Sequence, residues 1–144
     1  MSPASTNADK RLRDTFERQL VMQTFGATLA PYSGEGVEIH LPYREDLTQQ
    51  HGYLHAGVVS TILDSACGLA ALALMPEGAG VLAIEYKINF IAPAKGDAFI
   101  ARGHVIKAGR TVSVCTGDVF SVAQGSEKMV ATMMSTMMTM PAQR

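Results

Sequence analysis

The sequence predicts an α+β domain in which an antiparallel sheet wraps around one long central helix, with an extra helix at the N-terminus. Three observations carry that reading. The run from Ala56 to Met75 is rich in small and apolar residues, has helical length, and is stopped by Pro76 and the glycines Gly78 and Gly80. Directly after it the hydrophobic period changes from 3.6 to 2, with Ile84, Tyr86, Ile88 and Phe90 alternating against Ala83, Glu85, Lys87 and Asn89. From there onward the chain reads as strands joined by short turns, a meander that needs no crossover and can cover a helix with its apolar face.

The elements follow in chain order. A chain of 144 residues fits one core, too short for two joined by a linker. Residues 1–8 are expected to be flexible and residues 9–144 to form the single domain. Leu12, Phe16, Leu20 and Val21 recur at near-helical spacing among charges, which predicts an amphipathic helix from Asp9 to Met22 lying on a surface. Two short strands, Phe25 to Ala30 and Gly36 to Leu41, flank the turn signal PYSGEG and read as a hairpin. The polar loop YREDLTQQHGY leads into the central helix, and the strand after it is expected to have one buried face. Phe99 to Lys107 and Thr111 to Val122 form a hairpin through the short connection AGR. In the second of these strands Val112, Val114 and Thr116 alternate against Thr111, Ser113 and Cys115. The turn signal AQGSE precedes a last strand, Lys128 to Met140, whose methionines suit adaptable packing against a helix or a partner subunit.

Composition excludes several classes. With 12 basic and 13 acidic side chains the formal net charge is -1, so no bulk attraction to nucleic acid is expected. Cys67 and Cys115 lie in apolar stretches without ligand spacing and read as buried thiols, and no histidine pair or acidic cluster suggests a metal. The N-terminal MSPASTNADKRLRD has no apolar core of a secretory signal, so export is not expected. The least polar stretch, Ala66 to Met75, falls short of the roughly 20 residues a bilayer span needs. A cytoplasmic protein without membrane contact is the expectation.

The central helix carries the chemistry. At 100° per residue, Val59, Ile62, Leu63, Ala66, Leu69, Ala70 and Ala73 fall on one side, facing the sheet. The opposite stripe, Gly57, Ser60, Thr61, Asp64, Gly68 and Ala71, is small and holds a single carboxylate. Asp64 lies too deep in the helix to benefit from the positive end of its dipole, and burial there would raise its pKa. It either serves as a functional acid or base, or caps a neighbouring loop or pairs with Arg44 or Lys87. At the start of the helix, after His55, the first-turn N–H groups of Ala56 and Gly57 have no intrahelical acceptor and form a ready oxyanion site. A carboxylate and such donors are the parts acyl transfer needs. On one helix, however, eight residues separate Asp64 from Ala56, roughly 12 Å at about 1.5 Å per residue. Two antiparallel copies of the helix would bring the parts together, so a dimer with shared sites is expected.

LHAGVVSTILDSACG resembles the signature of the PaaI-type hot-dog-fold acyl-CoA thioesterases, an HGG followed by an apolar stretch and an Asp in the central helix. IEYKINFIAPAKGD and VIKAGRTVSV resemble that family's next strand and hairpin, so that the likeness spans roughly residues 35–140. It implies a hot-dog fold and hydrolysis of an acyl- or aryl-CoA thioester to free acid and coenzyme A, with no cofactor beyond the coenzyme A of the substrate. Asp64 takes the role of nucleophile or general base. The N–H of Ala56, with Gly57 beside it, polarises the thioester carbonyl across a subunit interface, and Gln49 stands where the family has an assisting amide. His55 takes a loop-fixing role beside the substrate. Lys95, Lys107 and Arg110 could hold the nucleotide phosphates, or be ordinary solvated turn charges. The resemblance also implies a homo-oligomer, a dimer or a homotetramer.

The chain departs from the pattern twice. Ala56 replaces the first glycine of HGG, which costs little provided its φ is negative, because the donor is a main-chain N–H. Ala83 stands where relatives often have a Ser or Thr that orients the attacking water. A rival reading from another class is therefore a hot-dog domain that binds acyl-CoA without turning it over. A hydratase would want a His–acid pair that the sequence does not offer.

Overall fold

A computed structural model describes residues 3–143, with side chains from residue 7 onward. Two helices, α1 (Pro3–Arg18) and α2 (Leu20–Phe25), precede a two-residue strand β1 (Thr28–Leu29) and β2 (Val37–Pro42). A single 3-10 turn at Glu45–Leu47 leads to the long helix α3 (Ala56–Ala73). Four more strands complete the chain: β3 (Gly80–Phe90), β4 (Ala98–Lys107), β5 (Val112–Ala123) and β6 (Ser126–Met140). All six strands pair antiparallel in one sheet of order β1-β2-β4-β5-β6-β3, so α3 carries the chain from one side of the sheet to its far edge. This is the sheet around a central helix that the sequence predicts.

The inner face of the sheet is built to let α3 approach closely. Val37, Ile39 and Leu41 of β2 and Phe99 of β4 surround it with bulk, while Ala101, Gly103, Cys115 and Gly117 leave a trough. In β5 the phase holding Ser113, Cys115 and Gly117 is therefore the buried one, and Val112 faces outward. A Cβ on Gly103 would lie 2.5 Å from the backbone carbon of Ala66, and one on Gly117 2.7 Å from Leu63 Cδ1. By length and mean hydropathy (1.6) α3 could cross a membrane, contrary to the shorter stretch counted from the sequence, but 61% of it is buried in this chain's own sheet. On the wheel, the expected inner side is buried with Ala73 half-buried, and Gly68 and Ala71 of the opposite stripe are buried too.

The N-terminal segment differs from expectation. α1 begins at Pro3, so residues 3–8 belong to the helix, with proline at the helix start where its missing N–H costs nothing; residues 1–2 lie outside the described residues. Leu12, Phe16 and Met22 are core residues, not a surface stripe. The helix also breaks at Gln19, whose extended backbone (φ -80°, ψ 90°) rotates α2 relative to α1 and leaves Leu20 70% exposed while Met22 turns inward. Arg11 holds this segment down, donating to the carbonyls of Met75, Pro76 and Ala79 at 3.0, 3.0 and 2.7 Å. Phe25, expected to open a strand, ends α2, and Gly26 closes that helix in the left-handed conformation (φ 73°).

β3 is the second departure. It is an edge strand, and a bulge between Ala83 and Glu85 leaves Ile84 without a partner residue on β6 and disturbs the alternation. Most of the face expected to be buried is open: Ile84, Tyr86 and Phe90, with Leu82 before them, are each 44% to 54% exposed, while Ile88 is half-buried against the core. β5 and β6 join through a tight turn at Gln124–Gly125, both at positive φ, as two-residue hairpins require.

The Gly103 contact generates a prediction. Gly103→Ala must displace backbone, not a flexible side-chain end, so it should destabilise by about 1–3 kcal/mol or more. Urea unfolding of the purified variant measures this, and an unchanged midpoint would mean that α3 is not seated against β4 as described.

Candidate active site

His55 is the N-cap of α3, with extended φ and ψ (-61°, 139°), and its Nδ1 accepts from the Gly57 N–H at 2.8 Å. A ring nitrogen that accepts from a main-chain donor carries no proton, so the hydrogen of a neutral ring sits on Nε2. A Cβ on Gly57 would lie 3.0 Å from that Nδ1, which accounts for the glycine. The Val58 and Val59 N–H groups both donate to the His55 carbonyl. Of the first-turn donors only the Ala56 N–H finds no acceptor among the described residues. Ala56 is not among the residues with positive φ, so alanine can present that N–H as a glycine would. Gly57 is thus a seat for the histidine ring here, with its own N–H already taken.

The loop before α3 is fastened at several points. Leu54 N–H donates to Ala94 O, His55 N–H to Leu47 O and Gln49 N–H to Tyr53 O, all between 2.9 and 3.0 Å. The Gln49 Oε1 accepts from the N–H groups of His51 and Tyr53, which leaves its Nε2 as the end without an acceptor among the described residues. Gln49 and Ala56 line one pocket of about 420 Å³, together with Tyr53, Phe90, Ile91 and Pro93.

Asp64 lines a different pocket, of about 460 Å³, whose apolar wall includes Leu69, Leu72, Val81 and Met137. Its Oδ1 is buried and has no hydrogen-bond partner among the described residues. Burial pushes its carboxyl above the usual aspartate range. Neither cation that could have neutralised it does so. Arg44 donates to Asp46 and to the Thr24 carbonyl, both at 2.7 Å, and Lys87 to Asn89 Oδ1 at 2.6 Å. The thiols offer no rival nucleophile, since burial raises Cys67 to about 12 and Cys115 to about 11. Among the described residues no group of three His, Cys, Asp or Glu could hold a metal.

Within one chain, then, Gln49, Ala56 and His55 come together while Asp64 stands apart. Lys95 is exposed in the loop beside Pro93 and Ala94 of the first pocket. Lys107 and Arg110 are exposed at the β4–β5 turn and line neither pocket. Unforeseen from the sequence is the polar rim of the Asp64 pocket, formed by Thr15, Arg18 and Gln19 with Ser65 of α3, whose Oγ donates to Gln19 Oε1 at 2.8 Å. No sequence signal marks it, since Leu12, Phe16 and Leu20 keep a spacing of four straight across Gln19. Ala83 lines the same pocket with no polar side-chain atom to offer.

Residues 51–128 match the thioesterase superfamily. The chain belongs to that superfamily. It is a thioester hydrolase with a hot-dog fold. The crystal structure of a thioesterase family protein from Silicibacter pomeroyi is 48% identical and superposes with a TM-score of 0.90, over 92% of this chain and 98% of that one. Human acyl-coenzyme A thioesterase 13 is 29% identical over 99 residues, 68% of this chain and 70% of its own. The PaaI protein of the E. coli phenylacetic acid degradation operon shares the fold (TM-score 0.85, 97% and 98% covered) at 18% identity.

The strained position of Asp64 has a thermodynamic signature. A carboxyl with a raised folded pKa favours its protonated form in the fold. The stability that protonation contributes is complete below the unfolded value of about 3.9 and is lost as pH rises through the folded one. At pH 7 the ionised group therefore costs stability, and Asp64→Asn should melt above the wild type, by a margin that shrinks toward pH 4. Thermal melts at the two pH values test this; a variant that melts lower at pH 7 would contradict the desolvated environment of Asp64.

Proposed function

We propose that this thioesterase hydrolyses an acyl- or aryl-CoA to the free acid and coenzyme A at sites shared between two copies of the chain, with Asp64 as the general base. One observation carries the reading: the Asp64 pocket and the Ala56 pocket adjoin opposite ends of the same open edge strand. The first runs along Gly80 to Ala83 of β3, and the second reaches Phe90 at its other end. If β3 pairs antiparallel with β3 of a second copy, the Gly80 end of each strand meets the Phe90 end of the other. Asp64 of one chain then approaches Ala56 and Gln49 of its neighbour, twice per dimer. The exposed Leu82, Ile84, Tyr86 and Phe90 would be covered by the same pairing, which also removes an unprotected sheet edge.

The groups so assembled define the chemistry. Asp64, made more basic by burial, accepts a proton from water as the water oxygen bonds to the thioester carbonyl carbon. The carbonyl oxygen gains the negative charge and takes a hydrogen bond from the Ala56 N–H at the positive end of α3. The Gln49 Nε2 lies in the same pocket and can donate to the same carbonyl. The C–S bond then breaks, the electron pair leaves with the coenzyme A sulfur, and a proton returns to it. Lys107 and Arg110 share the end of the sheet that holds the Asp64 pocket, and Lys95 lies at the other end beside the Ala56 pocket, so in the dimer all three basic residues fall on the same side as one composite site, where nucleotide phosphates would carry the matching charge. The acyl-CoA substrate class is the one named in the human relative.

Asp64→Asn should keep the fold and lower turnover by about two orders of magnitude or more, read with a thiol-detecting assay on a panel of acyl-CoAs. The kcat/KM profile of the wild type should lose activity on the acid side above the ordinary aspartate range. Near wild-type turnover in the Asn variant would remove the assignment. Sharing of sites is tested by mixing Asp64→Asn with Ala56→Pro. Ala56 is the first helical residue and His55 before it is already extended, so proline fits the backbone there and deletes only the N–H. In the mixture each heterodimer has one site with both defects and one with neither, and activity should return on subunit exchange. No recovery despite demonstrated exchange would leave each chain to build its own site.

A further inference from the structure

We infer that Gln19 positions the attacking water against Asp64, in place of the hydroxyl that Ala83 lacks. This rests on Asp64 acting as the base. Gln19 sits at the break between α1 and α2, where its backbone is held on both sides: its N–H donates to Phe16 O at 3.0 Å, and its carbonyl accepts from Met22 N–H at 2.9 Å. The extended backbone at that point (φ -80°, ψ 90°) turns the side chain out of the helical stripe and into the pocket that Asp64 lines.

The amide is oriented by its own hydrogen bond. Ser65, the residue after Asp64 on α3, donates its Oγ–H to Gln19 Oε1 at 2.8 Å. The opposite end of the amide, Nε2, is therefore a donor with no acceptor among the described residues. Asp64 Oδ1 is sealed off without a donor, so the half-buried carboxylate meets the pocket through Oδ2, which has no hydrogen-bond partner among the described residues either. An unused donor and an unused acceptor lining one cavity are complementary to a water molecule, which can donate one hydrogen to Asp64 and accept from Nε2. Its second lone pair then points in a fixed direction, toward the carbonyl carbon. When the water attacks, its proton passes to Asp64 and its oxygen bonds to carbon, while Gln19 neither gains nor loses a proton. Ser65 ties the amide to the same turn of α3 as the base, so the two move together.

The test is a kinetic series on the full-length protein: wild type, Gln19→Ala, Gln19→Met, Asp64→Asn, and Gln19→Ala combined with Ala83→Ser. Met keeps the length of the side chain and removes only the amide, so it guards against a packing defect in the Ala variant. Both Gln19 variants should lose kcat by about 10- to 100-fold with KM within about threefold, the scale expected for a misplaced reactant. Ala83→Ser should return at least about fivefold of kcat to Gln19→Ala, because it restores a hydroxyl to the same pocket. A merely structural Gln19 would not be rescued from across the cavity. Gln19→Met at wild-type kcat, with Asp64→Asn inactive, overturns the role of Gln19 and leaves the base in place. Failure of Ala83→Ser to recover kcat overturns it as well. Asp64→Asn at wild-type rate overturns the base and Gln19 together.

Discussion

The close seating of α3 in the sheet is the contact on which everything else depends. Gly103 and Gly117 leave no room for a Cβ between the strands and the helix backbone at Ala66 or the side chain of Leu63. With the helix that deep, its far stripe needs only a thin cover, supplied by α1 and the end of β6. Asp64 is therefore held in a pocket wall instead of standing on a solvated surface. The raised pKa of its carboxyl comes from that depth, and so does the poor fit between this residue and stability at neutral pH. A more shallowly seated helix would hydrate the carboxylate and return its pKa toward the ordinary aspartate range.

The N-terminus of the same helix shows how a small polar set can be sorted by one ring. His55 takes the Gly57 N–H, and its carbonyl takes those of Val58 and Val59. Among the described residues a single unspent first-turn donor remains, at Ala56. The histidine thus selects which first-turn amide stays open. This also explains why alanine serves at position 56 and glycine is needed at 57, where the ring leaves only 3.0 Å for a Cβ.

Much of the fold was legible because its signals are local. Pro76 with Gly78 and Gly80 marks the end of α3 within three residues, and the change of period beyond it marks β3. The hairpins at AGR and AQGSE stand where turn residues place them. What could not be read depends on neighbours distant in sequence. The apolar face of β3 looks like any buried strand in one dimension, and only the strand order reveals it as an edge. The inner phase of β5 is the less apolar one, because a trough for a helix needs small residues more than greasy ones. The site divides in the same way. Asp64 and Ala56 stood out as local anomalies, and the pocket assignments separate them as the length of the helix requires. Gln19 did not stand out, since its meaning comes from Ser65, 46 positions away.

The clamp of Arg11 on the three carbonyls beyond α3 has a wider consequence. The segment that matches the superfamily, residues 51–128, supplies the carboxylate and the open amide. Apart from Ser65, the polar rim around the carboxylate comes from Thr15, Arg18 and Gln19, outside that segment, and Arg11 fixes where they stand. The carboxylate and most of its rim thus belong to separable stretches of chain. The pocket-facing positions of the leading helices can change polarity while Leu12, Phe16 and Met22 keep their places in the core, and the surroundings of one carboxylate become adjustable from a part of the molecule that carries none of the sheet.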